Sequence, residues 1–226
     1  MNRYNIFGEI HKGLRALLYE TALLLQQTDF TNTEEAENAL ERVALVADLF
    51  DKHAHTEDTM IFNTIEQAEP SLVTAFEKEH EEDHALGQQL RGLLTAFVHS
   101  VSSADKHAVG AAISQSFVHF MIFNLQHMAK EEDIINKALW KHYTDIELHG
   151  MTQKIVASIP PQKMAVYSRW MMRGLSNNEI TGWLKEVKNN APDFVFQSLM
   201  QLAGQELHPQ RWQTVQETIT EGAMLA

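Results

Sequence analysis

Apolar residues recur at spacings of three and four throughout this 226-residue chain, the period of helices that bury one face. The pattern predicts an all-α fold. A first helix is expected over about Tyr4–Gln27, ending at the polar stretch Thr28–Thr33. Within that stretch Thr31 and Glu34 have the spacing of a capping box, which would open a second helix reaching about Ala68. Glu69-Pro70-Ser71 breaks it, and a third helix follows over about Leu72–Ser100. A turn at Ser102–Asp105 leads to a fourth over about Lys106–Tyr143. Beyond Gly150 the segments shorten: Pro160-Pro161 starts a helix that Gly174 ends, Ser176 and Glu179 form another capping box, and Pro192 and Pro209 open two more. Four long helices with short connections predict an up-and-down four-helix bundle over residues 1–148, with a C-terminal helical extension over 149–226 packed on it.

The buried stripe of each long helix is interrupted by metal-ligand residue types. His11 falls among Phe7, Leu14, Leu18 and Leu25 in the first. In the second, Val43, Val46 and Phe50 lead into His53 and Glu57, then Ile61 and Ile65. Val73 and Phe76 lead into His80 and His84, then Leu90 and Leu94, in the third. In the fourth, Ile113, Phe117 and Phe120 lead into His127 and Glu131, then Ile134 and Ala138. Each pair is spaced i, i+4 and shares a helix face. A buried carboxylate without compensation is costly, so two of them on core faces call for cations. At ~1.5 Å rise per residue, all seven residues of an up-and-down bundle fall in one layer roughly 10–24 Å from the same end.

Composition narrows the choices. There are no cysteines, which excludes disulfides, thiolate zinc sites and iron–sulfur ligation. The net charge of −12 disfavours nucleic acid and anionic membranes as partners. The acidity is confined to the first 150 residues, with 24 Asp/Glu against 11 Lys/Arg; the remainder has 6 against 7. No signal-like N-terminal pattern and no run of 18 apolar residues occurs, so a cytoplasmic location is expected.

Over about residues 5–145 the chain resembles the hemerythrin-like (HHE cation-binding) family. The resemblance rests on His11 and on the strings DKHAHTED, EKEHEEDHALG and LQHMAKEED, which hold His53, Glu57, His80, His84, His127 and Glu131. It implies two non-haem iron ions with an oxo or hydroxo bridge, bridged also by Glu57 and Glu131. The five histidines would be terminal ligands, with one position open to dioxygen, nitric oxide or a similar small ligand. Oxygen carriers of that family place the fourth-helix carboxylate five residues after its His, which would select Glu132; Glu131 shares the face of His127 and is preferred. The implied roles are sensing, storage or stress response, with iron handling or a di-iron oxidase or peroxidase as alternatives. The segment PPQKMAVYSRWMMRGLSNNEITGWLKEVKNNAPD is similar to one that follows longer members, including plant iron-regulating ubiquitin ligases, whose Cys-rich ligase module is missing here.

Three other motifs compete. His80-Glu81-Glu82-Asp83-His84 matches the H-E-x-x-H of zinc peptidases, but leaves His11, Glu57, His127 and Glu131 unexplained. A ferritin-like ferroxidase needs Glu-x-x-His on two helices, whereas Glu77-x-x-His80 and Glu81-x-x-His84 share one. RGLSNNEITGWL is similar to the start of a helix-turn-helix, yet too few basic residues follow it to read DNA. His55 is expected to face solvent and His119 to sit at the edge of its stripe.

Overall fold

Local chemistry sets each helix boundary in the computed structural model, which describes residues 3–224, with side chains through Thr220. The helices are α1 (Gly8–Gln27), α2 (Thr33–Glu57), α3 (Asn63–Ile65), α4 (Pro70–Val98), α5 (Ser103–Lys130), α6 (Asn136–His142), α7 (Asp145–Ser158), α8 (Pro161–Gly174), α9 (Asn177–Asn190), α10 (Asp193–Glu206) and α11 (Pro209–Met224). No strand occurs among the described residues, so the chain is all-α.

The cap of α2 is Asn32, where the sequence pattern had suggested Thr31. Asp29 accepts hydrogen bonds from both the backbone N–H (2.8 Å) and the hydroxyl (2.7 Å) of Thr31, which removes that hydroxyl from capping. Asn32 accepts instead from the N–H groups of Glu34 and Glu35 at 3.1 and 3.4 Å. Pro70 opens α4 at a position where its missing N–H costs nothing. Ser102 caps α5 through the Asp105 N–H at 3.0 Å, and Ser176 with Glu179 forms the expected capping box of α9. Gly150 does not end a helix: α7 runs through it, opened by a reciprocal pair between Thr144 and Glu147 (2.8 and 3.3 Å).

Two of the long helices are not uniform. After α2 the chain makes a π-helical segment, Asp58–Phe62, before α3 continues the rod; after α5 a second, Glu131–Ile135, precedes α6. Hydrogen bonds spanning i→i+5 widen such a turn and shift the phase of the side chains beyond it. Ile134, expected in the core, is therefore 41 % exposed, and Ile135 takes its place at 0 %.

Two units emerge from the internal contacts: residues up to Phe7 with Leu17–Ser158, and Gly8–Ala16 with the chain from Ile159 onward. In the first, α4 packs against both α2 and α5, and an apolar layer of Phe62, Ile65, Val73, Phe76, Ile135 and Leu139 fills the space beneath the π segments. In the second, Met172, Ile180, Leu184, Ala203 and Val215 form a separate core from α8 to α11. There Gly13 and Gly174 let α1 and α8 approach closely, since a Cβ at either would collide with Met171 or the Lys12 backbone. By length and composition Ser103–His142 is apolar enough to cross a membrane, but it buries Ile113, Phe117, Phe120, His127 and Glu131 in the first unit, as a core helix does.

Gly110 of α5 lies under Phe30, whose Cβ would stand 2.7 Å from an added methyl and whose ring would be closer still. Phe30 is itself held 5.8 Å from the Phe97 ring. Gly110→Ala should lower stability by about 1–2 kcal/mol despite the gain in helix propensity. Gly92→Ala, in open space on α4, should raise it by about 0.5–1 kcal/mol. Urea denaturation monitored by circular dichroism measures both; equal shifts would refute the contact.

Candidate metal centre

The site is built from three neighbouring helices of the first unit. On α2, the i, i+4 spacing brings His53 Nε2 to 3.0 Å from Glu57 Oε1. At the end of α5 the same spacing brings His127 Nε2 to 3.2 Å from Glu131 Oε1. Between them α4 contributes His80, whose Nε2 lies 3.4 Å from Glu57 Oε2, 3.8 Å from Glu131 Oε1 and 3.0 Å from His127 Nε2. Glu57 and Glu131 are 1 % and 0 % exposed. One ligand atom from each of Glu57, His80, His127 and Glu131 fits within 4.8 Å of the others. Phe62 stacks on His80, 5.3 Å between centroids and 8° between planes, and Phe123 stacks on His127 at 6.0 Å and 9°. The imidazoles are thus fixed in rotation as well as in position.

The far sides of these rings define their proton positions. His80 Nδ1 donates to Asp58 Oδ1 at 2.7 Å, and His127 Nδ1 donates to Glu79 Oε2 at 2.9 Å, because a carboxylate can only accept. In the neutral rings both Nε2 atoms are then lone pairs, turned toward each other at 3.0 Å and toward two buried carboxylates. That arrangement is repulsive unless a cation lies among them, and a proton or a metal ion can be that cation. For the proton, burial pushes both histidines down. For His80, the hydrogen bond to Asp58 and the nearby Glu131 and Glu57 carboxylates outweigh burial and hold it up at about 12; for His127, Glu131 and Glu79 raise it likewise. For a metal, imidazole nitrogen and carboxylate oxygen suit iron, zinc and manganese alike. The donor set therefore fits a cation of that class.

Of the residues singled out from sequence, the structure brings together His53, Glu57, His80, His127 and Glu131. His11 is fully buried on α1, in the Gly8–Ala16 stretch that groups with the second unit. His84 departs from the buried stripe expected of it. Its side chain is 62 % exposed, with Nδ1 3.3 Å from Asp51 and Nε2 3.4 Å from Gln88. The stripe on α4 runs instead through Val73, Phe76, His80, Asp83, Gly87 and Leu90, so the core phase selects i+3 over i+4 after His80. H-E-x-x-H accordingly does not turn both histidines to one point. Glu131, and not the half-buried Glu132, enters the cluster, while His55 and His119 are exposed.

Sequence reasoning passed over Asp58, Glu79, Asp83 and Asn124. Asn124 donates to Asp83 at 2.5 Å, both buried, one turn from His127 and His80 respectively. Burial raises the Asp83 carboxyl above its ordinary value, against the Asn124 hydrogen bond and the pull of His127 and His80. Their signal was available, since i−3 from His127 and i+3 from His80 are stripe positions. Asp58 and Glu79 gave none: they look like ordinary solvated acids beside a ligand.

A metal ion entering this cluster displaces a proton from His80, held up at about 12, and from His127, held above its ordinary value. Affinity for a divalent cation should therefore climb with pH, by about tenfold per unit for each proton displaced. Chelator-competition titrations with zinc at several pH values between 6 and 8 check this; a flat profile would mean that no proton leaves.

A family profile, the Hemerythrin HHE cation binding domain, matches residues 2–139. No curated protein and no solved structure gives a significant match. The profile spans more than half of the chain and includes every helix that supplies a side chain to the cluster, so this chain belongs to the hemerythrin HHE cation-binding domain family.

Proposed function

We propose that the chain holds a pair of non-haem iron ions and uses them to bind dioxygen, nitric oxide or a similar small ligand, for sensing, storage or stress response. The observation that carries this reading is the division of Glu57 between two histidines. Its Oε1 faces His53 of α2 and its Oε2 faces His80 of α4, as a carboxylate spanning two ions requires. Glu131, fully buried with Oε1 near both His80 and His127, would supply the second carboxylate. His53, His80 and His127 would hold the ions through their ring nitrogens, His53 beside Glu57 and His127 beside Glu131. The sequence pattern also nominates His11 as a ligand, while His84 is left outside the set. The four long helices act as an up-and-down bundle around this layer, as their short connections suggest.

When bound, an iron pair would supply Lewis-acidic, redox-active chemistry toward a small ligand. The protein's part is to hold the site dry and apolar. Phe62, Phe76 and Ile61 close the layer on one side, and Phe120 with Phe50 on the other.

Anaerobic reconstitution with ferrous iron should give about two irons per chain, and exposure to air should bring up near-ultraviolet bands that degassing weakens. Glu57→Ala and Glu131→Ala should each lose most of this iron, while His84→Ala and His119→Ala keep it. One zinc per chain with no iron, or equal losses in all four variants, would sink the proposal.

A further inference from the structure

The cluster has a second ring of charge that no sequence motif marks. Asp58 opens the π segment after α2 and reaches across to His80 on α4; Glu79, on α4, reaches across to His127 on α5. Each carboxylate therefore comes from the helix next to that of the histidine it holds. Glu79 divides its oxygens, Oε2 to His127 and Oε1 to Lys130 at 2.8 Å, which pins its rotamer. Both acids are on the rim, 37 % and 25 % exposed, so each stays solvated on one side while directing one oxygen inward. With Phe62 and Phe123 stacked on the two rings, neither imidazole can flip to exchange Nδ1 for Nε2 without losing a charged hydrogen bond.

We propose that Asp58 and Glu79 are positioning residues that fix His80 and His127 as Nδ1–H tautomers, so that both Nε2 atoms are presented to a bound cation. The inference rests on the cation-binding reading above. An amide in place of either acid can turn its NH2 toward the ring, which then presents an Nε2–H to the metal. Partners of this kind on ligating histidines, when removed, typically cost 10–100-fold in affinity.

The test compares cobalt(II) binding by wild type, Asp58→Asn and Glu79→Gln, using visible absorption. Asp133→Asn serves as a charge control, since Asp133 is an exposed acid paired with Lys137 at 2.6 Å. Zinc-loaded samples give long-range proton–nitrogen spectra that report the tautomer of each ring. Asp58→Asn and Glu79→Gln should each weaken cobalt binding about 10–100-fold, and each should lose the Nδ1–H signature of its own histidine alone. Asp133→Asn should do neither. Cobalt affinities equal to wild type, or a loss of the same size in Asp133→Asn, would overturn the inference and leave the cation site standing. A wild-type protein that takes up no cobalt would bring down both.

Discussion

Everything in the first unit is arranged around two carboxylates that have no business in an apolar core. Glu57 and Glu131 are withdrawn from water almost completely. The effective cost of burying a charge is several kcal/mol per ion, and a domain's whole stability is only about 5–15 kcal/mol. Two such charges without compensation would consume most of it. The surrounding histidines are the answer the sequence provides: His80 and His127 favour their protonated forms beside these acids, and an imidazole nitrogen can equally donate its lone pair to a metal ion. The burial of the acids and the affinity for cations are thus one fact seen from two sides.

The role of α4 follows from that constraint. It lies against α2 and α5, gives His80 to the inner cluster, and carries Glu79 one residue earlier to steady His127. It also turns Asp83 to Asn124 one turn away. Adjacent residues on one helix serve different depths of the same centre. A small rotation of α4 would disturb all of them together, which accounts for its dense anchoring by Phe76, Leu90 and the Arg91–Asp51 ion pair at 2.5 Å.

Much of this was legible in the chain. The i, i+4 pairs His53/Glu57 and His127/Glu131 stand within apolar stripes, and helical periodicity alone brings each pair onto one face. His84 was misplaced because i+3 and i+4 are equally good continuations after His80, and only the later residues Gly87 and Leu90 fix the phase that favours Asp83. Thr31 was misread because its hydroxyl is claimed by Asp29, a contact that spacing rules do not rank. Asp58 and Glu79 were invisible for a different reason: their partners lie on other helices, and a rim acid looks the same in sequence whether it faces water or a ring nitrogen.

The two π segments were also hidden, since DTMIF and EEDII are unremarkable helical strings, yet one begins directly after the buried Glu57 and the other at the buried Glu131. A π turn is an α-helix with one residue to spare. In hereditary terms each of these helices stands a single codon away from a regular one, and losing that codon would leave the upstream ligands in register while turning Phe62, Ile65, Ile135 and Leu139 off their shared layer. The layer beneath the centre and the centre itself are therefore joined by a length constraint rather than by residue identity. Gain or loss of one amino acid between Glu57 and Ile65, or between Glu131 and Leu139, would displace this whole layer, whereas most single substitutions at the same positions would leave its phase intact.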